Sequence, residues 1–152
     1  MGKLPLSCAL GECFILSVCV QTVHDLIPVT FGLAGTKVLI VEDEALIAMF
    51  IEDTLSDIGC ETVAVASNLD DAMTKVAEIQ CDIVMLDVNL AGKETFKLAE
   101  VLSKKNQPFI FSTGYGNAVI HPHLQHVPVL QKPFRESELR EKLQAALRMN
   151  RS

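Results

Sequence analysis

The chain predicts an α/β fold, a doubly wound parallel sheet with helices on both faces, and two observations carry that prediction. Short apolar runs of strand length alternate with stretches of helical periodicity, five times between Lys37 and Met149. Such alternation makes the strands parallel, and right-handed crossovers lay helices on both sides of the sheet. The second observation concerns how the runs end. Cys81-Asp82-Ile83-Val84-Met85-Leu86-Asp87-Val88-Asn89-Leu90 carries Asp87 where its apolar core stops, and Lys37–Val41 runs into Glu42-Asp43-Glu44. Pro108–Phe111 runs into Ser112-Thr113-Gly114, and Val127–Gln131 into Lys132-Pro133. An unpaired acid is costly inside a strand core and cheap at its mouth. Ligands of open parallel sheets bind at the carboxyl ends of the strands, so acids, a hydroxyl and a lysine are expected to meet there.

The elements follow in order. After the first strand, Ala45 to Ile58 places Leu46, Ile47, Phe50, Ile51, Leu55 and Ile58 at helical spacing, and Gly59 ends the helix. Thr62–Ala66 is the second strand. Asn68 caps a helix from Leu69 to Ile79, whose early Asp70 and Asp71 suit the helix dipole. The Asp87 strand is followed by a turn at Ala91-Gly92 and a helix from about Glu94 to Ser103. Past the fourth strand, Tyr115 to Gln125 is a short helix or loop limited by Pro122. The fifth strand reaches Lys132, and Glu136 to Met149 closes the fold with Leu139, Leu143 and Leu147 on one face.

Length and composition set bounds. A chain of 152 residues, 49% hydrophobic and 21% charged, suits one globular domain with a sizeable core. A net charge of -6 argues against direct nucleic-acid binding, which needs clustered Lys and Arg. Of five cysteines, Cys8, Cys13 and Cys19 fall early, while Cys60 and Cys81 open strands; no C-x-x-C pair or zinc spacing occurs. Reduced thiols of a cytoplasmic protein are the expectation. Residues 1–35 differ from the rest. Leu4 to Val20 is apolar behind Lys3, yet Glu12 breaks it and it is too short to span a bilayer. It is read as a poorly ordered or accessory extension ahead of a domain at 36–150. No separate output domain is expected after the last helix.

The strand ends suggest a chemistry. Glu42, Asp43 and Asp87 repel one another unless a cation neutralises them. Hard oxygen ligands suit Mg2+, which retains waters and recruits phosphate oxygens, and the backbone carbonyl of Asn89 would complete the protein ligands. A carboxylate beside such an ion can attack a phosphoryl group and form an acyl phosphate. Phosphoryl transfer asks mainly for positioning and charge neutralisation: Lys132 offers an ammonium to one phosphoryl oxygen, and Thr113 a hydroxyl to another.

Val38-Leu39-Ile40-Val41-Glu42-Asp43, the strand-terminal Asp87, Thr113-Gly114 and Lys132-Pro133-Phe134 resemble the receiver domain of two-component response regulators, over about Lys37 to Arg148. The resemblance implies a flavodoxin-like five-stranded sheet of order 2-1-3-4-5. It also implies Asp87 as phosphoacceptor, Glu42 and Asp43 as Mg2+ ligands, Thr113 as switch hydroxyl and Lys132 as phosphate-sensing lysine. Pro108 to Gly116 looks like the signature of the alphaproteobacterial "FAT GUY" receivers, with Ser112 where Ala is usual. Those are commonly stand-alone receivers associated with histidine kinases of the HWE or a related type. Two positions depart from the pattern: Ala91 stands where Pro is usual, and Val129 replaces the aromatic residue that swings inward on activation. Tyr115 is expected to lie beside the phosphoryl site and shape access.

Each signal has a bland counterpart. Asp87 alone would be a loop acid, Thr113 a turn residue, and His121, His123 and His126 solvent-facing loop histidines. His24 has no evident partner. Gly114-x-Gly116 is no dinucleotide fingerprint. Taken together, the residues imply a cytoplasmic single-domain response regulator, a phosphoacceptor rather than an enzyme in the ordinary sense. Its expected partners are a sensor histidine kinase or phosphotransfer protein and a downstream protein, with no membrane association; a monomer or weak dimer is expected. The rivals are a phosphorylation-independent interaction module and an aspartyl phosphatase. The latter needs a second acid two positions after the nucleophile, where this chain has Asn89.

Overall fold

The structure, a computed structural model, describes residues 32–114 and 120–150. In chain order the elements are β1 (Lys37–Val41), α1 (Ala45–Asp57), β2 (Glu61–Ala66), α2 (Leu69–Glu78) and β3 (Ile83–Asp87). A short hairpin of β4 (Asn89–Leu90) and β5 (Lys93–Glu94) follows, then α3 (Phe96–Lys104), β6 (Phe109–Thr113), β7 (Val129–Gln131) and α4 (Glu136–Met149). The main sheet has the order β2-β1-β3-β6-β7 with every neighbouring pair parallel. Counting only its own strands, that is the expected 2-1-3-4-5.

Side chains alternate across a sheet, and here the alternation sorts two cores. Leu39, Val41, Val84, Leu86, Phe109 and Phe111 pack with Ala72 of α2 and with Leu98, Ala99 and Leu102 of α3. Val38, Ile40, Ile83, Met85, Ile110 and Leu130 pack on the other face with Ile51 and Leu55 of α1 and with Leu139 and Leu143 of α4; Leu33 joins this core. β3 is buried from end to end, as the middle strand of a sheet covered on both faces must be. Carried to the strand tips, the same alternation assigns Glu42, Asp87, Ser112 and Lys132 to the face of α1 and α4.

Local chemistry sets the boundaries. Asn68 caps α2, its Oδ1 accepting the Asp71 N–H at 2.9 Å, a bond worth about 1 kcal/mol. Gly59 ends α1 with φ of 84°, a conformation that an L side chain resists. In α4, Leu139 and Leu143 are buried and Leu147 packs at their margin. The helix expected from Glu94 starts instead at Phe96, because Asn89 pairs with Glu94 and Leu90 with Lys93 around the turn Ala91-Gly92. Between β6 and β7, Pro122–Leu124 forms a single 3-10 turn with Leu124 buried. Residues 115–119, including Tyr115, lie outside the described residues, as do 1–31 with Cys8, Cys13, Cys19 and His24.

The apolar set of α1 is not one buried stripe. Ile51, Leu55 and Ile58 are buried and Ile47 is half-buried, but Leu46 is 81% exposed and Phe50 51%, with Met49 beside them at 58%. At about 100° per residue, this set sweeps an arc wider than a single face, so part of it must face outward.

Candidate functional site

Lys132 is the hub. Its ammonium donates to Glu42 Oε2 at 2.5 Å and to Asp87 Oδ2 at 2.7 Å, drawing together the ends of β1, β3 and β7. Its backbone N–H bonds the carbonyl of Thr113 at 2.8 Å, which ties the end of β6 to the same place. Asp87 is further held from its own loop: the Asn89 N–H donates to Oδ1 at 2.9 Å, while the Thr95 hydroxyl donates to the Asp87 carbonyl at 2.6 Å. Asp43 is oriented by the Ala91 N–H, 3.1 Å from Oδ2, and Glu42 by the Glu44 N–H, 3.2 Å from Oε1. The result is an open cleft of about 270 Å³ bordered by Asp43, Asp87, Asn89, Ala91, Gly114 and Lys132.

Burial and charge act against each other here. Glu42 is 2% exposed; burial raises its pKa, the hydrogen bond and charge of Lys132 oppose the rise, and the nearby Asp87 charge adds to it. Burial alone would lower the Lys132 pKa, but its bonds to Asp87 and Glu42 outweigh that and hold it above the ordinary lysine value. Glu42, Asp43 and Asp87 each bring a carboxylate oxygen within 4.8 Å of the others. Three hard oxygens this close together, those of Asp43 and Asp87 bordering the open cleft, fit a small divalent cation such as Mg2+, which leaves the remaining positions to water and substrate oxygens.

Asp43, Asp87, Asn89 and Lys132 therefore border one cleft, and buried Glu42 joins them through its bond to Lys132. Asn89 also gives its N–H to Asp87. Thr113 is 2% exposed and ends β6 one residue beyond Ser112, the register partner of Asp87. Val129 is half-buried against the α2 and α3 core. His121, His123 and His126 are exposed, with His121 edge-on to Phe96 at 4.3 Å between ring centres. Several contributors were not expected from the sequence: the N–H groups of Ala91 and Glu44 and the Thr95 hydroxyl. Thr95 precedes an apolar helix and so reads as a cap. Its side chain makes no capping bond to α3 and serves Asp87 instead.

The family model of the response regulator receiver domain matches residues 38–144. The chain belongs to that family. Among solved structures, this receiver is similar to SdrG from Sphingomonas melonis Fr1, 37% identical, with 74% of this chain and 97% of that one covered and a TM-score of 0.68. The BeF3-activated conformation of SdrG from Pseudomonas melonis Fr1 is 38% identical, covering 75% and 98%, with a TM-score of 0.66. The PhyR response regulator receiver domain of Erythrobacter litoralis is 30% identical, covering 78% and 95%, with a TM-score of 0.65. Among curated proteins, the sensory transduction protein LytT of Bacillus subtilis is 28% identical over 76% of this chain and 49% of its own length. The receiver thus spans about half the length of the curated relatives it matches. Among the described residues no helix is long and apolar enough to cross a membrane.

Proposed function

We propose that this receiver accepts a phosphoryl group on Asp87 from the phosphohistidine of a sensor kinase, of the HWE or a related type, or of a phosphotransfer protein. It then signals in the cytoplasm by changing which protein it contacts. Glu42, Asp43, Asp87 and the carbonyl of Asn89 would hold Mg2+, whose charge, when bound, screens the carboxylates and the incoming phosphoryl oxygens. A carboxylate oxygen of Asp87 attacks phosphorus; the P–N bond of the donor breaks, and the imidazole leaves with the bonding pair and takes up a proton. Lys132 gives up its bond to Asp87 and follows the negative charge onto a phosphoryl oxygen. Thr113 supplies a hydroxyl to another.

The observation that carries this reading is the shared ammonium of Lys132, bonded at once to Asp87 and Glu42 with Asp43 in the same cluster. The SdrG structure in its BeF3-activated conformation supports it as a related protein that responds to a phosphoryl mimic. The exposed Leu46, Met49 and Phe50 on α1, the helix that follows Glu42 and Asp43, support docking of an apolar partner surface on that helix. The test is incubation with a small-molecule phosphodonor and Mg2+, read by intact mass. Wild type should gain one phosphoryl group and Asp87→Ala none. An unmodified wild type would leave the phosphorylation-independent interaction module as the better description.

A further inference from the structure

Ser112 is the register partner of Asp87 on the neighbouring strand, and strand alternation puts its side chain on the same sheet face. It is 1% exposed, and its Oγ is the one buried side-chain polar atom among the described residues with no hydrogen-bond partner. Buried hydroxyls are ordinarily satisfied, and one that is not destabilises the state that holds it. The carboxylate of its register partner Asp87 is engaged elsewhere, Oδ1 with the Asn89 N–H and Oδ2 with Lys132. An idle donor beside a carboxylate whose two oxygens each already hold another donor points to a partner that becomes available in another state of the site.

Phosphorylation of Asp87 would make such a change. One carboxyl oxygen becomes bonded to phosphorus, the negative charge moves out onto the phosphoryl oxygens, and an ammonium is drawn after it. Where Oδ1 carries phosphorus, Oδ2 loses the Lys132 donor in a largely buried place and, beside Mg2+, keeps a second lone pair open to another donor. Neighbouring strands run about 4.8 Å apart, a gap that a serine hydroxyl and an aspartate side chain on one face span with a change of rotamer.

We infer that the Ser112 hydroxyl is a positioning group of the phosphorylated state: it donates to the Asp87 carboxyl oxygen that Lys132 vacates, a bond absent from the resting site. The inference rests on the phosphoacceptor reading above and adds a residue to it.

The test uses the full chain, Ser112→Ala and Ser112→Cys, with BeF3- and Mg2+ as the phosphoryl mimic. Calorimetric titration gives the BeF3- affinity, and thermal unfolding is followed with Mg2+ alone and with both. Ser112→Ala should unfold at the same or a higher temperature than wild type in Mg2+ alone, since it deletes an unsatisfied group. It should bind BeF3- about fivefold more weakly, the net effect of one hydrogen bond, and gain less in midpoint from it. Ser112→Cys, a poorer donor of similar shape, should fall between. A Ser112→Ala protein with wild-type BeF3- affinity overturns the inference alone. So does one that unfolds at a lower temperature in Mg2+, because the hydroxyl then has a resting partner. A wild type that does not bind BeF3- overturns the phosphoacceptor reading itself, and the Ser112 assignment with it.

Discussion

Replacing Ala91 tests the loop that aims Asp43. Ala91 has φ of 51° and Gly92 of 82°, so both residues of the two-residue turn between β4 and β5 are left-handed. That is the form native to tight hairpins, and it favours Asn-Gly or Gly-Gly. An alanine there carries about 1–2 kcal/mol of steric strain. Its side chain is exposed, so substitution forfeits no packing, and its N–H bond to Asp43 survives any non-proline replacement. Ala91→Asn should therefore stabilise by about 1 kcal/mol. Ala91→Gly should gain roughly half as much, because glycine returns about 0.4–1 kcal/mol in unfolded-chain entropy. Ala91→Pro cannot adopt a positive φ and removes the donor to Asp43, which predicts a loss of about 3 kcal/mol. Urea denaturation at constant m-value measures all three. An Ala91→Asn protein no more stable than wild type would mean that the turn is not strained in this way.

Two further outcomes follow from the site and the core. Lys132→Met leaves Glu42 and Asp87 close together without their shared cation. Removing one partner of a buried pair costs about 3–5 kcal/mol, and with the cleft open to water the lower end is expected. The loss should be largest in EDTA and partly recovered in Mg2+; a variant as stable as wild type in EDTA would contradict the electrostatic account. The Cys60 thiol is pushed up by burial, against the charge of Arg140, from 9.0 to about 11. The folded state then holds the thiol proton more tightly than the unfolded chain. Its contribution is complete below pH 9 and lost as pH rises to about 11, at most about 2–3 kcal/mol. Wild type and Cys60→Ala should diverge in urea midpoint only over that range, and parallel curves would refute it.

How much of this was legible in the sequence depends on what carried each feature. The sheet was legible because its signal is burial, which apolar runs record residue by residue: β3 reads as a continuous apolar stretch because both of its faces are covered. The β4–β5 hairpin was not. Asn89 to Glu94 is too short and polar to show a period, and its two pairs of residues depend on a backbone turn at Ala91 that the side chain disfavours. The outer stripe of α1 was misleading for the opposite reason. Leu46 and Phe50 satisfy helical spacing, and spacing alone cannot distinguish an apolar residue that meets the core from one that meets water.

At the site the same division is sharper. The groups that were legible carry charge at strand ends, where Glu42, Asp43, Asp87 and Lys132 have few bland explanations once they stand together. The groups that were missed are largely backbone donors, the N–H of Glu44, Asn89 and Ala91, which fix three carboxylates in one arrangement. A backbone N–H is common to every residue except proline, so the identity of Asn89 or Ala91 says nothing about the bond it makes. The consequence concerns mutability. Side-chain substitution at 89 and 91 should be tolerated so long as the turn is kept, whereas proline at either position should disorient a carboxylate. The site is therefore specified twice, by residue type for charge and by loop geometry for aim, and only the first of these is written in the sequence as chemistry.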